Sequence, residues 1–127
     1  MDARQKPLVL LVDDDETMRA MARYLLQEGG YEVVESRSGR DALARLRGGP
    51  PPEYLVTDLK MADGSGGWLV AQVAYEFPRL LAHTVVITGA AASASAAHVA
   101  ARWRCPVVAK PFTGADLVTA LRAAGDE

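Results

Sequence analysis

The stretch LVLLVDDD, residues 8–15, decides the fold class. Five consecutive apolar residues are followed at once by three aspartates. An apolar run without polar alternation is typical of a strand whose two faces are both covered, as in a parallel sheet. The run is far too short to span a bilayer. We therefore interpret it as a central strand of an α/β domain, with the acidic residues at the end of that strand.

Similar short runs rich in β-branched residues recur along the chain and alternate with helical patterns. They predict further strands at residues 31–34, 54–57, 85–88 and 106–109. An apolar stripe at helical spacing predicts the first helix and a core position for each of its members: Met18, Met21, Ala22, Leu25 and Leu26. Other helices are predicted at 38–47, around 69–73, at 93–103 and after the capping pattern at 113–116. Right-handed crossovers then place all five strands parallel, with helices on both faces.

Length and composition set the broad class of the protein. The chain has 127 residues, of which half are hydrophobic and 24% are charged, so we expect a single domain over residues 1–127. Its core should cover residues from about 7 to about 124, between the first strand and the last helix. Fourteen basic and sixteen acidic residues give a net charge of −2, which argues against a broad nucleic-acid-binding face.

The expected location is the cytoplasm. Residues 1–7 are polar and lack the apolar stretch of a signal peptide, and no apolar run is long enough for a membrane span. Cys105 is the sole cysteine, so an internal disulfide is excluded and a reducing compartment suits the chain. We therefore expect neither direct nucleic-acid binding nor a membrane partner.

Polar side chains stand where the predicted strands end: Asp13, Asp14 and Asp15, then Asp58, Thr88 and Lys110. Because the carboxyl ends of parallel strands share one edge, where such folds bind ligands, these groups should converge. Crowded carboxylates raise one another's pKa, because ionising all of them costs free energy. A bound divalent cation removes that cost. Ligation by oxygen alone selects Mg²⁺ or Mn²⁺. Asp15 has a simpler interpretation as the N-cap of the first helix.

The other groups at this edge suit phosphoryl transfer. Lys110 is one of only three lysines beside eleven arginines, and a compact ammonium can pair first with a carboxylate and then with a phosphoryl oxygen. The Thr88 hydroxyl can donate a hydrogen bond to another oxygen. The carboxylate of Asp58 can attack phosphorus as a nucleophile.

A family resemblance rests on residues that stand in order along the chain: Asp13-Asp14, Thr57-Asp58-Leu59-Lys60-Met61, Ser65-Gly66, Thr88-Gly89 and Lys110-Pro111-Phe112. Together they resemble the response-regulator receiver domains of two-component signalling, over nearly the whole chain. The resemblance implies a flavodoxin-like fold with a five-stranded parallel sheet in the order 2-1-3-4-5. It also implies a phosphoacceptor that assists its own phosphorylation and dephosphorylation rather than an enzyme.

The resemblance further implies the roles of individual residues. Asp58 would accept a phosphoryl group from a phosphohistidine on a sensor histidine kinase or a histidine phosphotransfer protein. Asp13, Asp14, Asp58 and the main-chain carbonyl of Lys60 would hold Mg²⁺, or Mn²⁺ in its place. The phosphorylated domain would then act on an output partner that the sequence does not identify.

The resemblance also implies a conformational switch. Thr88 would move toward the phosphoryl group, and Lys110 would pair with it. The peptide bond between Lys110 and Pro111 would be cis, which is rare enough to be a useful check. Val107 stands where the family usually has an aromatic residue. Rotation of a ring at this position therefore cannot take part in the switch, which would involve the predicted helix at 93–103 and the fifth strand.

Two alternatives compete with this interpretation. The pattern Asp13-x-Asp15-x-Thr17 also matches the signature of haloacid-dehalogenase-like phosphatases, in which Asp13 would be the nucleophile and Asp15 the general acid. Such enzymes need further carboxylates at a later strand end, whereas the three acidic residues after Lys110 lie in or beyond the last helix. The other alternative is a docking module without phosphorylation, although all five chemical positions are filled.

Overall fold

The computed structural model describes residues 5–89 and 93–125. The strands are β1 (Leu8–Val12), β2 (Glu32–Ser36), β3 (Tyr54–Asp58), β4 (Thr84–Thr88) and β5 (Val107–Ala109). The helices are α1 (Glu16–Glu28), α2 (Gly39–Gly48), α3 (Gly66–Glu76), α4 (Pro78–Leu81), α5 (Ala94–Trp103) and α6 (Gly114–Gly125). Residues 1–4 and 126–127 lie outside the described residues. They comprise most of the polar N-terminal stretch and both ends of the expected domain.

The five strands form one parallel sheet in the order β2-β1-β3-β4-β5, which confirms the predicted fold. Along β1, Val9 and Leu11 belong to the apolar core that includes buried residues of α1 and α6. Leu10 and Val12 belong to the core on the opposite face, with buried residues of α2 and α3. Successive side chains of a strand point to opposite faces, so a strand covered on both sides must be apolar throughout. The LVLLV run satisfies this requirement.

Helix caps lie at the predicted positions. The Asp15 side chain accepts hydrogen bonds from the amides of Thr17 and Met18, which confirms it as the N-cap of α1. The Ser38 hydroxyl caps α2. Before α6, Thr113 and Asp116 each accept a hydrogen bond from the other's amide, which is the predicted capping box. These caps fix the residue at which each of the three helices begins after the carboxyl end of the preceding strand.

Several local predictions were wrong. Tyr31 does not begin β2, because its amide donates to Leu26 at the end of α1, and the sheet bonds start with the amide of Glu32. The short helix α4 was not predicted; it begins with Pro78, whose fixed φ suits the first helical position. Met21 lies outside the core, with 38% of its surface exposed. Over the described part of the chain, no helix is both long and apolar enough to cross a membrane.

Candidate functional site

The sheet register brings four of the predicted site residues to one edge. Asp58 ends β3 and pairs with Ile87, and Thr88 ends β4 and pairs with Ala109. Beyond the strands, the amide of Lys110 donates to the Thr88 carbonyl at 2.9 Å. Asp13 follows the last residue of β1 directly. The carboxyl ends of β1, β3, β4 and β5 therefore each supply at least one polar residue to this edge.

Three carboxylates form a cluster at this edge. One oxygen from each of Asp13, Asp14 and Asp58 lies within 4.8 Å of the others. Asp13 and Asp58 are buried, with exposed fractions of 4% and 8%, whereas Asp14 is exposed. Burial, followed by the neighbouring charge of Asp58, raises the pKa of Asp13 against the effect of its hydrogen bond from the Asp15 amide. The cluster therefore fits a hard divalent cation that oxygen atoms would hold.

Lys110 partly neutralises the cluster. Its Nζ atom lies 3.2 Å from Oδ2 of Asp58 and 3.5 Å from Oδ2 of Asp13. Burial alone would lower the pKa of Lys110, but attraction to Asp13 and Asp58 outweighs burial, so its pKa is raised. The ammonium stays charged at neutral pH and stands beside the carboxylate that was predicted to react.

The main chain orients the carboxylates. The amide of Leu59 donates to Oδ1 of Asp58 at 2.8 Å, and the amide of Ala62 donates to Oδ2 of Asp14 at 3.3 Å. Gly66 packs directly behind Asp58: a Cβ atom at this position would lie 1.9 Å from the Asp58 carbonyl oxygen. Only glycine allows α3 to begin this close to the end of β3.

A comparison with protein families agrees with this geometry. The family model for the response regulator receiver domain matches residues 9–122. The chain belongs to this family. It is a receiver domain of two-component response regulators, and the phosphatase alternative receives no support.

Curated relatives of the receiver domain are longer than this chain. It is 33% identical over 124 residues to the photosynthetic apparatus regulatory protein RegA of Rhodovulum sulfidophilum, covering 96% of this chain and 65% of RegA. It is 29% identical over 125 residues to the transcriptional regulatory protein KdpE of Mycobacterium tuberculosis, covering 92% of this chain and 50% of KdpE. The chain thus spans less than two thirds of the length of these relatives.

Solved receiver structures share the fold. The chemotaxis protein CheY4 of Vibrio cholerae superposes with a TM-score of 0.82 at 25% identity, covering 94% of this chain and 99% of CheY4. A CheY-like receiver domain protein of Methanospirillum hungatei gives a TM-score of 0.84 at 22% identity, covering 96% and 95% of the two chains. The second likeness concerns the fold alone.

The structure also locates the other residues that the sequence singled out in the receiver domain. Thr88 is buried at the end of β4, and Lys60 is exposed two residues after Asp58. The bond between Lys110 and Pro111 is cis, as predicted. Val107 is half-buried and packs against the core cluster that contains Cys105. Asp15 lies beside the cluster, but its carboxylate accepts hydrogen bonds from amides of α1.

Sequence reasoning missed Arg19. Its Nη1 atom donates to the main-chain carbonyl of Asp13 at 2.7 Å, and its Nε atom donates to Oε1 of Glu35 at 3.0 Å. Arg23 donates to the other oxygen of Glu35 at 2.7 Å. The one signal in the sequence is the position of Arg19 one helical turn after Asp15, which does not reveal a partner on β2. The pair of bonds ties the Asp13 main chain to the edge strand.

Proposed function

We propose that Asp58 is the phosphoacceptor of this receiver domain. The observation that carries the proposal is the convergence of Lys110 and two further carboxylates on Asp58, a buried side chain at the end of a central strand. The roles of Asp13, Asp14, Thr88 and Lys110 follow from their places around it. Residues from about 7 to about 124 form the folded core of this unit, in line with its strand and helix pattern.

Asp13, Asp14, Asp58 and the main-chain carbonyl of Lys60 would hold Mg²⁺, with Mn²⁺ as the alternative. The donor set supports this assignment, because three carboxylates whose oxygens lie within 4.8 Å suit a small hard cation. The bound ion would neutralise charge on the carboxylates and on the incoming phosphoryl oxygens.

In the transfer step, a carboxylate oxygen of Asp58 attacks the phosphorus of a phosphohistidine on a sensor kinase or a histidine phosphotransfer protein. The new O–P bond forms as the P–N bond breaks, and the electron pair of that bond stays on the departing imidazole nitrogen. Lys110 moves from its carboxylate partners to a phosphoryl oxygen, and the Thr88 hydroxyl donates to another. The domain thereby assists its own phosphorylation, and the same groups assist hydrolysis of the acyl phosphate.

Labelling with a small phosphodonor tests this proposal. The protein is incubated with radiolabelled acetyl phosphate and Mg²⁺, and the label is located by peptide mapping. We expect the label on Asp58, its loss in Asp58→Asn, and its retention in the control Asp41→Asn, which changes an exposed carboxylate on α2. Label on Asp13, or undiminished labelling of Asp58→Asn, would overturn the assignment.

A further inference from the structure

A groove of about 700 Å³ runs between α3 and α5, beside the carboxylate cluster but outside it. We call it the α3–α5 groove. Its lining residues are Leu59, Lys60, Met61, Ser65, Gly67, Ala71, Ala94, Ser95, His98, Val99, Arg102 and Trp103. Among the described residues that line this groove, only Lys60 also takes part in the functions proposed for the carboxylate cluster.

The charge of the α3–α5 groove differs from that of the chain as a whole. The chain has a net charge of −2, yet none of the described residues that line the groove is acidic. Lys60 stands on the β3–α3 loop and Arg102 in the last turn of α5, and both side chains are exposed. His98 lies one turn before Arg102 and is exposed as well. The charges of the lining itself, as distinct from those of the neighbouring carboxylate cluster, therefore favour a negatively charged ligand.

The floor of the α3–α5 groove is apolar. Leu59 and Val99 are buried beneath it, while Met61 and Trp103 are half-buried at its sides. Gly67 and Ala71 are small, so the α3 side leaves space that a bulky side chain of a ligand can fill. The guanidinium of Arg102 lies 4.3 Å from the centre of the Trp103 ring, which holds this cation over the apolar surface.

We propose that the α3–α5 groove binds an acidic peptide segment of a partner protein. One bulky apolar side chain of that segment fills the space between α3 and α5, and flanking carboxylates pair with Lys60 and Arg102. A nucleic acid is the less fitting ligand, because two permanent cations offer few phosphate contacts and the floor is mainly aliphatic. The combination of an apolar anchor and a charged rim is typical of peptide-binding surfaces.

The test uses a synthetic peptide with one central phenylalanine and four glutamates on each side. Its binding to the ¹⁵N-labelled protein is followed by chemical-shift changes, and its affinity by fluorescence anisotropy. We expect saturable shifts at Leu59, Val99 and Arg102. Replacing phenylalanine with alanine, or the glutamates with lysines, should weaken binding at least about tenfold, because each change removes one half of the recognition.

Charge variants of the protein separate the groove from general electrostatics. The double variant Lys60→Gln/Arg102→Gln should lower the affinity for the glutamate peptide about tenfold. The control Arg79→Gln/Arg122→Gln, which has the same net charge, should change this affinity less than about twofold. Ala94→Glu places an acid on the groove wall at the first residue of α5. A helix N-terminus accepts this charge, so the fold is kept while binding weakens.

Four outcomes of the binding experiments would overturn the proposal. They are the absence of saturable binding up to about 1 mM peptide, shifts confined to another surface, equal loss of affinity in both double variants, and tighter binding of an oligonucleotide of equal charge. Sedimentation of the protein alone checks for a second copy as occupant. A dimer that Ala94→Glu dissociates would replace the partner segment with a copy of this chain. None of these measurements needs phosphorylation, so they stand apart from the test of Asp58.

Discussion

Lys110 donates a hydrogen bond to Asp58 across 3.2 Å and thereby joins two strand ends that are 52 positions apart in the chain. The same ammonium lies 3.5 Å from Asp13. Side chains of these two carboxylates are at most one tenth exposed, so little water screens their mutual repulsion. Lys110 therefore stabilises the free protein and stands ready for an incoming phosphoryl group.

Lys110→Met should separate these two roles. In the absence of Mg²⁺, we expect the free energy of unfolding at pH 7 to fall by about 2 kcal/mol, because two buried carboxylates lose their cation. Mg²⁺ should restore part of the loss, while labelling by acetyl phosphate should stay strongly reduced. Urea unfolding with and without Mg²⁺ measures the first effect. Lys6→Met, an exposed control, should change neither quantity.

Arg19→Ala should weaken Mg²⁺ binding about tenfold, because loss of a partner that orients a ligand-bearing segment typically costs this much. The guanidinium holds the Asp13 carbonyl and Glu35 together. Isothermal titration calorimetry gives the affinity. Arg23→Ala is the matched control because Arg23 also binds Glu35 but, within the described part of the chain, forms no hydrogen bond to Asp13. Equal weakening in both variants would contradict a positioning role for Arg19.

Lys60→Ala should change the lifetime of the phosphorylated protein. The exposed Lys60 side chain follows Asp58 by two residues, so its ammonium can pair with phosphoryl oxygens and hinder the attacking water. We expect dephosphorylation to quicken by about threefold, on the scale of a single exposed ion pair. Decay of the radiolabel after removal of the phosphodonor gives the rate. An unchanged half-life relative to Lys6→Ala would remove Lys60 from this role.

Two glycine substitutions should have opposite effects on stability. In Gly66→Ala the new Cβ meets the Asp58 carbonyl oxygen, which is backbone and cannot yield, so we expect a loss of about 3 kcal/mol. In Gly48→Ala the new Cβ meets nothing within 4 Å at the end of α2. The better helix former should then add about 0.5 kcal/mol. Urea unfolding compares the two, and a neutral Gly66→Ala would contradict the close approach of α3 to β3.

Cys105 should make stability fall at alkaline pH. Burial raises the pKa of its thiol to about 11. In the unfolded chain this thiol ionises near its ordinary pKa of about 8.5. The folded state therefore binds the thiol proton more tightly than the unfolded chain does. This difference stabilises the folded protein in full below about pH 8.5, and the stabilisation is lost as the pH rises through about 11.

The difference in unfolding free energy between wild type and Cys105→Ala isolates this effect, because tyrosines and lysines titrate in both proteins. We expect the difference to change by about 2–3 kcal/mol between pH 8 and pH 11, and the wild type to be the protein that loses stability. Iodoacetamide at pH 8 should modify the folded thiol far more slowly than the urea-unfolded one. A flat difference, or fast modification of the folded protein, would contradict the burial of Cys105.

Hydrophobic pattern and strand ends predicted most of the fold and much of the site. Continuous apolar runs are required wherever helices cover both faces of a parallel sheet, and β1 meets that requirement with one core on each side. Asp13, Asp58 and Lys110 follow such runs, so their meeting at one edge could be predicted. The start of β2 could not be predicted. Whether the Tyr31 amide bonds to the helix or to the sheet depends on where the folded chain places it relative to the Leu26 carbonyl.

The sequence by itself determined the alternation of strands and helices, the parallel sheet and the residues that reach its reactive edge, because local periodicity and chain chirality control these features. Only the tertiary structure decided that Arg19 bridges Asp13 and Glu35, and that a basic, apolar-floored groove opens between α3 and α5. Both depend on the spacing of elements distant in sequence, which the packing of the whole core sets and no local pattern encodes.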